Sequence, residues 1–159
     1  MFQLSRRSMN RLNTVKAPLR LVVLRAIQIS EVDFMVLEGA RTVARQHQLY
    51  GQGRTAAELQ RVGVNPALAR PSERKVTWTL NSNHFADEAD GLGRAVDLVP
   101  YPVDWNDLRK FDAIAKSMFA AAEELGVGIR WGADWDQDGN YRERGESDSP
   151  HFELAPGGA

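Results

Sequence analysis

Two rhythms divide the chain. Apolar positions three and four apart mark helices, and short apolar runs bounded by turn residues mark strands. The clearest helical stripe is Leu108, Phe111, Ala115, Met118, Phe119, Ala122 and Leu125. It predicts a long helix with Asp104 as N-cap, Asp107 in the first turn and Gly126 as the stop. A second helix is expected from Pro18 to Ile29, where proline in the first turn lacks only an N–H that would go unpaired. Shorter helices are expected from the cap Ser5 to Arg11, from Thr42 to Tyr50 ahead of Gly51 and Gly53, and from Ala56 to Arg61. Strands are expected at Val32–Leu37, at the β-rich run Lys75–Leu80, at Ala95–Val99, at Gly128–Trp131 and at His151–Leu154. Between them, Gly63–Glu73 with its two prolines, the acidic Phe85–Leu92 and the polar Ala133–Ser149 read as loops.

Helices and strands do not alternate regularly in this order. The pattern therefore predicts an α+β fold rather than a doubly wound α/β sheet. A length of 159 residues suits a single domain, 1–159, large enough for a hydrophobic core.

Charge narrows the partners. A net charge of -1 gives no electrostatic reason to expect nucleic acid or an anionic membrane. The basic residues Arg6, Arg7, Arg11, Lys16, Arg20 and Arg25 read as a solvated helix face. The apolar stretch Leu19–Ile29 is interrupted by Arg20 and Arg25, so neither a secretory signal nor a membrane span is expected there. With no cysteine, disulfide and thiolate chemistry drop out.

The candidate chemistry lies in two pieces. Of three histidines, His84 and His151 fall in Ser82–Pro100 and Asp148–Leu154, while His47 reads as a surface residue on a helix. Asp97 interrupts the apolar run Ala95–Val99, where a carboxylate is costly unless a cation pairs with it. Two imidazoles and a carboxylate form a three-ligand set for zinc with an open fourth position, as in catalytic sites. Asp148, three residues before His151, can overhang whatever His151 binds, the place for a general base. Each residue also has an ordinary reading: Asp97 as an ion pair with Arg94, His151 as a hydrogen-bonded core histidine, Asp148 as a turn-former. A second cation site is signalled by Asp134, Asp136 and Asp138 at alternate positions, followed by Gly139 and Asn140, as in calcium loops. The carboxylate such a loop carries at its last position is replaced here by Gly145, with Glu146 beside it.

Ser82-x-His84, Gly93-x-Ala95-x-Asp97 and Asp148-Ser-Pro-His151, with Glu38-Gly-Ala-Arg41-Thr42 and Gln46 upstream, resemble the LAS zinc peptidases. That family includes D-Ala-D-Ala carboxypeptidases, vancomycin-resistance dipeptidases, phage L-alanyl-D-glutamate endopeptidases and the hedgehog signalling domain. The resemblance runs from about Leu4 to Leu154 and is nearest to phage endolysins. It implies a small antiparallel sheet with flanking helices, zinc held by His84, Asp97 and His151, and Asp148 as base. It also implies that Arg41 stabilises the oxyanion or grips a substrate carboxylate, and that Ser82, Arg41 and Gln46 contact substrate. Phe85–Leu92 carries an insertion relative to the family pattern, which leaves Asp90 or Asp87 as fallbacks for Asp97.

The function so implied is zinc-dependent hydrolysis of the peptidoglycan stem peptide, between L-Ala and D-Glu, by a phage endolysin. Its competitors are D-Ala-D-Ala carboxypeptidase activity and a hedgehog-like zinc-binding module without turnover. Such an enzyme is expected to be a monomer without a separate wall-binding domain. It would be made in the host cytoplasm and reach the wall once the membrane is permeabilised.

Overall fold

In the computed structural model, which describes residues 1–157, five helices flank one four-stranded sheet. The helices are α1 (Arg6–Leu12), α2 (Ala17–Ile29), α3 (Val43–Gly51), α4 (Ala56–Arg61) and α5 (Leu108–Leu125). The strands are β1 (Phe34–Glu38), β2 (Ala95–Pro100), β3 (Ile129–Gly132) and β4 (Asp148–Leu154), in the order β1-β2-β4-β3, all antiparallel. This is the expected α+β architecture.

The helix ends follow local chemistry. The hydroxyls of Ser5 and Thr42 accept from the backbone N–H groups of Ser8 and Arg45 at the starts of α1 and α3. Thr55 and Glu58 form a reciprocal capping box on α4. Gly126 closes α5 at φ 69°, a left-handed conformation that glycine adopts without strain.

Alternation along the two central strands separates core from chemistry. Val96 and Leu98 of β2, and Phe152 and Leu154 of β4, join the core with Val22, Ala26, Ile114 and Met118 of α2 and α5. Asp97, His151 and Glu153 therefore point to the opposite face. Truncating a fully buried core side chain such as Leu98 or Phe152 should cost about 2–5 kcal/mol.

Three expectations change. Lys75–Leu80 is not a strand but an irregular segment with bends at Trp78 and Leu80. Its apolar alternation does not face the core: Val76 is 54% and Trp78 77% exposed. The carbonyls of Thr77 and Thr79 accept from the side chains of Arg54 and Gln46 instead of from a neighbouring strand. Asp104 does not cap α5, because its carboxylate accepts from the Asn106 N–H and holds a separate turn; α5 begins at Leu108 with Asp107 in the cap position. The last strand begins at Asp148, which pairs with Gly132, rather than at His151.

Candidate metal centre and its groove

Strand register brings two of the candidate ligands face to face. Asp97 on β2 pairs with His151 on β4, and on its other side with Glu38 of β1. His84 arrives from the turn that precedes β2, steadied by a short parallel bridge between Phe85 and Arg41. The Arg41 N–H donates to the His84 carbonyl at 2.6 Å. A Cβ on Gly93 would stand 3.0 Å from that carbonyl and 3.1 Å from Ala40 Cα, so this crossing of backbones leaves little room for a side chain.

The hydrogen bonds fix the tautomers. His84 Nδ1 lies 2.8 Å from the Gly39 carbonyl, which can only accept, so Nδ1 carries the proton and Nε2 a lone pair. His151 Nε2 lies 2.8 Å from Glu153 Oε1, so in the neutral ring Nδ1 is the acceptor. These two inner nitrogens are 3.2 Å apart. Asp97 Oδ1 is 3.3 Å from His84 Nε2 and 3.5 Å from His151 Nδ1, yet makes no hydrogen bond of good geometry although it is buried. Three acceptors thus aim at one point, which is unfavourable unless a cation sits there. These side chains form a group that can hold a metal ion.

A proton on His151 partly answers the same demand. Burial opposes the charge, but the adjacent carboxylates of Asp97 and Glu153 outweigh it and lift the His151 pKa to about 10. Burial likewise works against the Asp97 carboxylate, and the two histidines more than reverse it, holding its pKa below the usual carboxylate range.

Asp148 sits at the rim with its carboxylate 57% exposed, 3.9 Å from His151 Nδ1. Desolvation by the groove wall raises its pKa, against the opposing pull of His151.

Arg41 is more constrained than a free substrate clamp. Its Nε and Nη2 fork onto the Glu38 carboxylate at 3.0 and 2.7 Å, and Nη1 donates to Gln46 Oε1 at 2.7 Å. Its Nη2 is 3.7 Å from Asp97 Oδ2. Gln46 is buried yet lines the groove, and its amide donates to Thr77 Oγ1 and the Thr79 carbonyl, so it also carries the 75–80 segment. Ser82 lines the groove while its hydroxyl accepts from the His84 N–H.

The roles of several site residues escape sequence reading. Glu153 uses both oxygens, one on His151 and one on Asn83 Nδ2 at 2.6 Å, and so ties β4 to the turn carrying His84. Glu38 holds Arg41. Trp105 and Trp135 form aromatic parts of the groove lining, with Trp135 5.4 Å from the His151 ring. The one signal available was the two-residue spacing of His151 and Glu153 on a strand.

In the Phe85–Leu92 insertion, Phe85 lines the groove while the two aspartates are engaged elsewhere. Asp87 and Asp90 both bind Lys16 Nζ, at 3.2 and 2.9 Å. Hydrogen bonds from Lys16, and from nearby backbone N–H groups, lower both carboxyl pKa values. Neither is among the side chains gathered around the two histidines.

In the acidic loop, Asp134 and Asp136 gather with Glu146, the residue just past the expected last position. Asp138 is instead grouped with Asp136 and Glu143. Asp134 Oδ1 and Glu146 Oε1 are buried without a hydrogen-bond partner. Desolvation and the neighbouring carboxylates raise the Asp134 pKa, although the Gly139 N–H donates to its other oxygen.

Two inward histidines, a carboxylate between them and a rim aspartate, set on the open face of a small antiparallel sheet, form a group that could hold a metal ion beside an open groove. Sequence comparison is more specific. A sequence model of the family described as phage L-alanyl-D-glutamate peptidase matches residues 1–62 and 70–155, and the chain belongs to that family. It is 35% identical over 159 residues to the L-alanyl-D-glutamate peptidase of Escherichia phage T5, covering 96% of this chain and 98% of that one. Among solved structures, the L-Ala D-Glu endopeptidase ChiX of Serratia marcescens superposes with a TM-score of 0.62 at 29% identity, over 96% of this chain and 90% of that one.

Proposed function

We propose that the protein is a zinc peptidase that hydrolyses the L-Ala–D-Glu bond of the peptidoglycan stem peptide and acts as a phage endolysin. The observation that carries the reading is the convergence of three acceptors, His84 Nε2, His151 Nδ1 and Asp97 Oδ1, beside a groove in a chain of this peptidase family. Two imidazoles and a carboxylate suit zinc and leave a coordination position open. Zinc held there would supply Lewis acidity that activates water and polarises the scissile carbonyl.

The chain's own groups perform the proton transfers. Asp148 is the base: it takes the proton of the attacking water and hands it to the departing amine. A raised pKa suits a carboxylate that must hold that proton between the two events. Arg41 has five N–H groups, of which Glu38 and Gln46 engage three; the remaining two stabilise the developing oxyanion. Glu153 is not a competing base, because both its oxygens are already bonded.

Calcium is the second proposed cofactor, held by Asp134, Asp136 and Glu146, with the two unpartnered buried oxygens as its support. The single domain serves as the whole catalytic unit. None of its described helices is long and apolar enough to cross a membrane, which fits action on the wall after the membrane is breached.

Digestion of purified peptidoglycan, with mass spectrometry of the products, tests the reading. New L-Ala carboxyl and D-Glu amino termini are expected. Release of terminal D-Ala would point to the carboxypeptidase alternative, and no product from metal-loaded protein to a binding module.

A further inference from the structure

Three cations line the groove of about 970 Å³, namely Arg41, Arg74 and Lys75, and they are not equivalent. Arg41 already has Glu38 in its fork and Asp97 beside it, so a substrate carboxylate would have to displace Glu38 to take that fork, while the two remaining N–H groups stay free for the oxyanion. Arg54, close behind the wall, is 5% exposed, donates to the carbonyls of Tyr50 and Thr77 and lies 3.7 Å over the Tyr50 ring. Arg74 and Lys75 are exposed, and neither takes part in an ion pair among the described residues.

Their base is fixed. Gly53, at φ 78°, ends the turn after α3, and a Cβ there would meet Lys75 Cγ at 2.5 Å and Lys75 N at 2.7 Å. Backbone at Lys75 is therefore seated directly on that turn, whose Gly53 N–H donates to the Arg70 carbonyl at 2.8 Å. The Lys75 ammonium lies 4.9 Å from the centre of the Trp78 ring, a contact that steadies its position, and its charge helps to lower the Glu58 pKa without forming an ion pair. The groove is thus polarised: Glu38, Asp97 and Asp148 line its metal end, and two unpaired cations line the 74–75 segment.

We infer that Arg74 and Lys75 read the free carboxylate of the acidic stem-peptide residue, and so set the direction in which the peptide lies across the centre. This rests on the proposed function. A bond between alanine and glutamate leaves an anionic residue on the departing side. Arg74 offers that carboxylate a planar fork and Lys75 a point charge.

The test compares two synthetic peptides containing L-Ala–D-Glu, identical except that one has the free glutamate carboxylate and the other a carboxamide. Both are given to metal-loaded wild type and to the Arg74→Gln/Lys75→Gln variant. Wild type should favour the carboxylate peptide. The variant should lose roughly ten- to a hundredfold more kcat/KM on the carboxylate peptide than on the carboxamide, chiefly through KM. Equal losses on both peptides, no loss on either, or a wild type indifferent to the carboxylate would overturn the inference. Wild type that cuts neither peptide would remove the proposed function, and this inference with it.

Discussion

His151 Nε2 lies 2.8 Å from Glu153 Oε1, and the other oxygen of the same carboxylate holds Asn83, the residue before His84. One buried carboxylate thus orients one histidine directly and ties its strand to the turn that carries the other. Glu153→Leu should weaken metal binding by roughly 10–100-fold, the usual effect of losing a partner that orients a metal-binding histidine. Glu153→Gln, which keeps an acceptor oxygen, should lose less. Competition titration against a chromophoric chelator measures both, and equal affinity in wild type and Glu153→Leu would refute the role.

The ligand set makes a direct prediction. His84→Ala, His151→Ala and Asp97→Ala should each lose the bound metal, whereas Asp90→Ala, whose carboxylate serves Lys16, should keep it. Elemental analysis of the four purified variants decides; metal retained by Asp97→Ala and lost by Asp90→Ala would reverse the assignment.

Asp148→Ala should retain metal and fold, because its carboxylate is at an exposed rim, and lose activity by about 10²–10⁴-fold. Wall-turbidity kinetics together with metal content give the answer. Near-normal turnover in the metal-loaded variant would rule out Asp148 as the base.

Metal-stripped protein should depend on pH through His151. Its folded pKa is raised to about 10, so the protonated ring stabilises the fold fully below the unfolded value near 6.5 and that stability is lost as pH rises through 10. Thermal melting of the stripped protein should therefore fall between pH 7 and pH 10, while metal-loaded protein should lose less over that range. Metal affinity should also rise with pH, since the ion must displace this proton. A stripped His151→Gln variant with the same alkaline decline as wild type would contradict this account.

The acidic loop has the same sign, in the carboxylate range. The folded pKa of Asp134 is raised, so its ionised form destabilises the loop, and that cost is relieved as pH falls through the raised value. Calcium should relieve it at neutral pH, and Asp134→Asn should remove most of the calcium effect. Calorimetric titration of metal-loaded protein with calcium provides the check; no binding heat at millimolar calcium would return the loop to ordinary solvated turn chemistry.

Much of this was legible in the chain because the decisive residues break local rules. Asp97 is a carboxylate within an apolar strand, and of the expected α5 stripe Phe111, Ala115, Met118 and Ala122 are buried, while Leu108, Phe119 and Leu125 at its margins are exposed. What was not legible depends on register. Nothing local to Glu38 says that it will stand opposite Asp97, and the loop spacing placed Glu146 one residue past the expected last ligand without saying that the chain would turn it onto Asp134. The run Lys75–Leu80 was misleading for a related reason: β-rich composition describes a side chain's fit to a sheet, and here no strand lies alongside. Gln46, a substrate contact by motif, lines the groove, and its three bonding partners, which the motif does not announce, make it a support of the groove wall as well.

The position of Asp97 has one further consequence. It lies on an inner strand, braced on both sides, whereas Arg74, Lys75, Trp105 and Trp135 all belong to segments outside the sheet. The Gln46 side chain, bonded both to Arg41 and to the 75–80 segment, links that wall to the inner strand. Recharging the wall at Arg74 or Lys75 leaves those Gln46 hydrogen bonds in place, so the polarity of the groove can change while the bracing of Asp97 stays as it is.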